Sequence, residues 1–293
     1  MVAPYIGTVR CGELFRHTEN GYLLLIDNFE VLLPFADTDF DITDDEAMDV
    51  FIYNNKEGQV LATATIPTVQ KGTYGWVTVT DVIPHLGVFV YIGIETEILV
   101  SKDNLPALQS VWPKIDDKLF VTLETDRQNR LLAVPASENI FYERREIATA
   151  NMMYNEVSGY VYKAGYEGSA IFTNDSYRGF VHRTMREREP RLGEYVTGRI
   201  IDVKEDGTIN ISLLPRKREQ MERDAEIILN YLRDNGGSMP YGNKSDPEQI
   251  RQIFQMSKSA FKRALGQLMR QKVVTQHNDG TFLIKQSRNN AKK

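Results

Sequence analysis

The sequence predicts a multidomain, mainly β protein of 293 residues: three small closed β-barrels in tandem, followed by an α+β unit of three helices and a hairpin. Three observations carry this. The tripeptides GTV at Gly7, GWV at Gly75 and GYV at Gly159 each open a segment that closes on an apolar residue and proline. Those prolines are Pro67, Pro135 and Pro215, so the Gly-to-Pro distances are 60, 60 and 56 residues. Inside each segment an apolar pentapeptide recurs: EVLLP ending at Pro34, EILVS ending at Ser101 and RGFVH ending at His182. Beyond Pro215 the apolar period changes from two, the repeat of a strand, to 3.6, the repeat of a helix.

Each segment finishes on two extended runs separated by a turn. Lys56-Glu57-Gly58 and Glu205-Asp206-Gly207 are hairpin signals, because glycine accepts the positive φ such turns require. About five short strands per segment is the size of a small closed barrel rather than a sandwich. The barrels are expected over residues 1–67, 68–136 and 154–216. Residues 137–153, SENIFYERREIATANMM, read as a connecting helix with Ile140, Phe141 and Ile147 on its apolar side. A first C-terminal helix buries Met221, Ala225, Ile228, Leu229 and Leu232 and stops at Asn235-Gly236-Gly237. A second begins at a capping box of Ser245 and Glu248 with Pro247 in its first turn, and buries Ile250, Ile253 and Phe254. A third, from about Ser257 to Lys272, turns Phe261, Ala264, Leu265 and Leu268 inward, and a hairpin then turns at Asn278-Asp279-Gly280. Three helices and a hairpin over 217–286 make a winged-helix arrangement, and 287–293 reads as a disordered basic tail.

Composition limits the function classes. Hydrophobic residues at 42% and charged residues at 26% are an ordinary globular balance. Cys11 is the single cysteine, so no intramolecular disulfide or cysteine-based zinc site can form. No apolar run approaches the ~20 residues of a membrane span, and the expected location is the cytoplasm. The net charge of −5 conceals an asymmetry. Residues 1–66 hold 12 acidic against 3 basic residues, whereas 217–293 hold 15 basic against 8 acidic. A basic end predicts a polyanion partner; an acidic end predicts a different task, such as docking protein partners.

The third segment, GYVYKAGYEGSAIFTNDSYRGFVHRTMREREPRLGEYVTGRIIDVKEDGTINISLLP, resembles the S1-type RNA-binding domain, an OB-fold barrel. Gly159 and Val161, Gly168, GFVH and GEYVTGRIIDVKEDGTINISL carry the likeness. The first two segments resemble that domain in spacing and apolar pattern, with Pro34 and Ser101 at the His182 position. Three S1-type repeats followed by a winged helix resemble the conserved virulence factor B family of bacterial RNA-binding regulators. The resemblance implies a cytoplasmic protein that holds single-stranded RNA and needs no cofactor.

Single-stranded RNA is held by cations along its phosphates and by aromatic faces on which bases stack. Strand alternation turns Tyr160 and Tyr162 outward if Val161 points in, and Trp76 relates to Val77 in the same way. Tyr160, Tyr162, Tyr166 and His182 are the expected platform, with Lys163, Arg178 and Arg183 at its rim and Phe180 beside it. On the third helix Lys258, Ser259, Lys262, Arg263 and Arg270 are the expected nucleic-acid contacts, on the face opposite the apolar stripe together with Gly266. A solvated basic face is the alternative there. The acidic run DTDFDITDDE lacks the glycine and glutamate of a calcium loop, at Ile42 and Met48. The four histidines lack metal-ligand spacing, and no phosphate-cradling loop or nucleophile elbow occurs. The reading is therefore a non-enzymatic RNA-binding protein. Its rivals are a DNA-binding regulator using the winged helix and a scaffold for a nuclease or ribosome.

Overall fold

The computed structural model describes residues 5–38, 47–277 and 280–284. The acidic stretch 39–46, the turn residues 278–279 and the tail 287–293 lie outside them. The chain forms two compact units, Met1–Leu214 and Pro215–Lys293.

The first unit contains three closed five-stranded barrels. The first is built from β1 (Val9–Thr18), β2 (Gly21–Ile26), β3 (Phe29–Pro34), β4 (Ala47–Asn54) and β5 (Val60–Thr63). The second uses β6 (Gly75–Ile83), β7 (Gly87–Tyr91), β8 (Ile98–Ser101), β9 (Lys118–Thr125) and β10 (Leu131–Pro135). The third uses β11 (Glu156–Lys163), β12 (Gly168–Thr173), β13 (Arg178–His182), β14 (Tyr195–Val203) and β15 (Ile209–Ser212). In each, the strands run in the order first, second, third, fifth, fourth, and the third and fifth strands close the barrel by parallel pairing. The first strand of each carries an irregularity in register, at Leu14/Arg16, Val79/Asp81 and Val161/Lys163. Such bulges bend and twist a strand enough to serve both edges of a narrow barrel. The three pentapeptides are β3, β8 and β13, and their last residues Pro34, Ser101 and His182 pair with Gly21, Gly87 and Gly168. The first two barrels share one apolar core, and the third has its own around Val161, Ile171, Val181, Ile200, Ile209 and Ile211.

The segment between the second and third barrels is helical over a shorter span than expected. Helix α1 covers Glu138–Glu143 only. Beyond it the chain extends: Glu146 bridges to Tyr177, and the Ala148 amide donates to the Gly207 carbonyl at 3.1 Å. Edge hydrogen bonds to the third barrel, reinforced by the β-branched Ile147 and Thr149, override the helical pattern there. Phe141 is buried as expected, whereas Ile147 remains largely exposed against Gly207.

The second unit packs α2 (Lys217–Asp234), α3 (Pro247–Phe254) and α4 (Lys258–Arg270) on a sheet of β16 (Ser238–Met239), β18 (Gly280–Leu283) and β17 (Val274–His277). Its core joins Ala225, Ile228 and Leu232 to Ile250, Phe254, Phe261, Ala264, Leu265 and Leu268. Two details differ from the sequence reading. Asp246, not Ser245, caps α3: its carboxylate accepts the amides of Glu248 and Gln249, while the Ser245 hydroxyl accepts from the Gly242 amide. Ile253 lies off the stripe and is exposed. Among the described residues no helix is long and apolar enough to cross a membrane.

Candidate nucleic-acid interface

Alternation along β13 buries Gly179 and Val181 and turns Arg178, Phe180 and His182 outward. Following hydrogen-bonded partners around the barrel, Phe180 lies in a row of outward positions: Ala170 on β12, Phe180 on β13, Asn210 on β15 and Asp202 on β14. The residues in the same register in the first and second barrels are Leu23, Leu32, Leu61 and the buried Tyr53, and Phe89, Leu99, Leu132 and Glu124. Only the third row presents an exposed aromatic ring beside hydrogen-bonding side chains.

Helix α1 divides the outer surface of the third barrel in two. Phe141, 1% exposed, stacks on Tyr162 with centroids 4.0 Å apart and reaches Phe172 at 5.2 Å, Phe120 at 5.5 Å and Trp76 at 6.4 Å. Tyr160 is held between Trp76 and Tyr195, each at 4.9 Å, with the Lys118 ammonium 5.8 Å from its ring centroid. Glu138 accepts from Lys163 at 2.9 Å and from Arg178 at 2.8 Å, and the Arg178 Nε donates to the Tyr162 hydroxyl at 3.2 Å. The hydrogen bond from Lys163, and then the charges of Lys163 and Arg178, hold the Glu138 carboxyl below its ordinary pKa against a burial penalty. Burial pushes the Tyr162 phenol up, and its hydrogen bond from Arg178 opposes that. Tyr160, Tyr162, Lys163 and Arg178 are thus brought together with α1 and the second barrel.

The other four expected residues form a separate group, open to solvent. Tyr166 is 72% exposed and Phe180 38%, and His182 and Arg183 are exposed as well. The Arg183 guanidinium lies 5.0 Å from the Tyr166 ring centroid, a cation–π arrangement that orders both. The Nδ1 of His182 lies 2.8 Å from the Thr184 hydroxyl. The Phe180 ring rests on Gly168, where a Cβ would come within 2.2 Å of its Cζ. A glycine at that strand position is what makes room for the ring, which stays partly open to solvent.

Two residues outside the expected set shape this group. The Arg186 side chain is 6% exposed, and its guanidinium donates to the Ser169 hydroxyl and to the Gly165 and Tyr166 carbonyls, fastening the loop that carries Tyr166. Asn210 adjoins Phe180 and donates to Asp202. The charge run Arg186–Glu189 conceals the first in the sequence, and only the parallel register of β13 with β15 reveals the second.

In the winged-helix unit, Ser259, Lys262, Arg263 and Arg270 are exposed on α4 and Lys258 is half-buried. The Ser257 hydroxyl caps the helix by accepting the Ala260 amide and lies 2.9 Å from the Ser259 hydroxyl. A Cβ added at Gly266 would meet nothing within 4 Å. Among the described residues no group of three or more His, Cys, Asp or Glu side chains is arranged to hold a metal ion.

Four families match consecutive parts of the chain: S1 domain over residues 6–65, CvfB first S1-like domain over 74–134, Virulence regulatory factor CvfB second domain over 141–215, and CvfB-like winged helix domain over 226–283. The chain is 44% identical over 265 residues to the Bacillus subtilis uncharacterized protein YitL, covering 90% of this chain and 89% of that one. It is 36% identical over 239 residues to the conserved virulence factor B of Staphylococcus epidermidis, covering 80% and 78%. Among solved structures, a Streptococcus pneumoniae multidomain protein with nucleic acid binding domains superposes with a TM-score of 0.67 at 33% identity, over 96% of this chain and 99% of that one.

Proposed function

The chain belongs to the conserved virulence factor B family, and from that premise we propose that it binds single-stranded RNA through its third barrel and regulates gene expression by binding rather than by catalysis. The observation that carries this is the solvent-open group Tyr166, Phe180, His182 and Arg183 on the closed third barrel. An exposed aromatic ring on a sheet can stack with a base, a contact of ~1–3 kcal/mol that requires the base to be unpaired. Arg183 supplies charge for the adjoining phosphate, and Arg186 holds the Tyr166 loop in place before RNA arrives. The Streptococcus pneumoniae structure carries nucleic acid binding domains by its own description, which supports the same use here. The exposed cations of α4 offer RNA a second contact on the winged helix. The first two barrels offer Leu32 and Leu99 where the third offers Phe180. Their net acidity and apolar rows fit protein docking better than phosphate binding.

The test compares the full chain with labelled single-stranded RNA and duplex DNA of equal length, by fluorescence anisotropy at one salt concentration. Preferential binding of the single strand, lost in Phe180→Ala with Tyr166→Ala, is the expected result. Preference for the duplex would transfer the function to the winged helix. Absence of binding to either would favour a protein-docking scaffold.

A further inference from the structure

We infer that Asn210 and Asp202 read guanine at the base position over Phe180, an inference that rests on the third barrel being the RNA-binding one. The starting point is an acid on the wrong kind of surface. Asp202 is exposed on the same row as Phe180 and Asn210, where a carboxylate repels phosphates, and no cation pairs with it among the described residues. Its hydrogen-bond partner is the Asn210 side chain, whose Nδ2 donates to Asp202 Oδ2 at 3.0 Å. An ionised carboxylate only accepts hydrogen bonds. The amide must therefore turn its NH2 toward Asp202, which leaves its Oδ1 as a free acceptor. The amide thereby fixes the Asp202 carboxylate, whose Oδ1 and the remaining lone pair of whose Oδ2 make two adjacent acceptors two strand spacings from Phe180, each of ~4.8 Å.

The chemistry of the base edges selects among ligands. On its Watson–Crick edge guanine presents two adjacent donors, N1–H and the N2 amino group. Adenine and cytosine each present a donor beside an acceptor, and uracil presents one donor between two acceptors. Two fixed acceptors accommodate guanine without an unmatched pair, whereas the other three bases place an acceptor against an acceptor. RNA modules read unstacked bases by this combination of an aromatic face and edge hydrogen bonds. The matching positions in the other barrels are Leu61 with Tyr53 and Leu132 with Glu124, so the amide–carboxylate pair is confined to the third.

The experiment uses the full chain and unstructured oligoadenylate carrying one central guanine, inosine, uracil or no substitution, read by anisotropy. The guanine strand should bind tighter than oligoadenylate by roughly 5- to 150-fold, the range of one bidentate base contact. Inosine, which lacks the N2 amino group, should fall between. Asp202→Asn should weaken the guanine strand and leave oligoadenylate unchanged or slightly tighter, because a repelling charge has gone. A merely structural role for Asp202 would lower both together. Equal binding of guanine and uracil strands by the parent would overturn the inference while leaving the RNA-binding reading intact. Retention of the guanine preference in Asp202→Asn would also overturn it. Failure to bind any of the four strands would instead defeat the reading on which it rests.

Discussion

Phe141 stacks on Tyr162, with ring centroids 4.0 Å apart and planes inclined by 21°. Through this pair the segment leaving the second barrel closes over one half of the third barrel's outer surface. The other half, around Phe180, stays open. The contact couples the stability of the two barrels, and the open group remains free to take a ligand.

Removing the stack should be costly. Phe141→Ala deletes a buried ring that touches Tyr162, Phe172, Phe120 and Trp76. A Phe→Ala change in a core costs ~3–5 kcal/mol. Both tryptophans, Trp76 and Trp112, belong to the second barrel region, so their fluorescence during urea unfolding reports the barrel unit without signal from the winged helix. A midpoint unchanged from the parent would mean that the ring is dispensable to the barrel pair.

The same clamp carries a pH dependence. The hydrogen bond from Lys163, with the charges of Lys163 and Arg178, depresses the Glu138 carboxyl below its ordinary value of 4.5. A depressed carboxylate contributes stability that is present above its unfolded value and lost as pH falls through the lowered folded value. Glu138→Gln should therefore melt below the parent at neutral pH, and the gap should close on acidification below 4.5. The effect is small because Glu138 is half-exposed. A gap independent of pH would assign the loss to packing rather than charge.

The two arginines of β13 and its end should part company. Arg183 is exposed beside Tyr166, whereas the Arg178 side chain is 16% exposed and engaged with Glu138 and Tyr162. Arg183→Gln should reduce the slope of log affinity against log salt by about one unit, the loss of one phosphate contact. Arg178→Gln should leave that slope nearly unchanged and lower the melting temperature. Isotherms across a salt series, with melting curves for both variants, make the comparison. Equal slope changes would mean that RNA displaces Glu138 from Arg178.

The barrels were legible because their determinants are local and repeated. Gly58 and Gly207 take the positive φ their turns demand, and the pentapeptides fall on the third strand of each barrel. The site was legible only in part. Period two turns Tyr160, Tyr162, Phe180 and His182 outward alike, yet says nothing of what covers an outward face. That depends on where Phe141 lands, a contact set by the fold of the whole barrel pair. The aliphatic counterparts Leu32 and Leu99 give no sign of how Phe180 sits. Gly168, two positions before Ala170, is what leaves room for its ring on the sheet. The Asn210–Asp202 pair joins residues eight apart in sequence and depends on a shift in register between Ile200 and Asp202, which periodicity does not reveal.

On α4, Gly266 separates stability from binding. An added Cβ there meets no atom within 4 Å, so Gly266→Ala removes the ~1 kcal/mol penalty of glycine within a helix without a clash. For a unit of this size that is a rise of roughly 4–8 °C in melting temperature, followed by circular dichroism. The residue is flanked on the exposed side by Lys262, Arg263 and Arg270. A partner's sugar-phosphate backbone approaches closest over a residue without a side chain, and a methyl group there holds it away. The expected result is therefore a more stable protein with weaker affinity for RNA. Lys262→Gln with Arg263→Gln should meanwhile lower the salt slope by about two units. If Gly266→Ala stabilises the unit and affinity and slope both survive these changes, then the basic face of α4 is solvated and the third barrel binds alone.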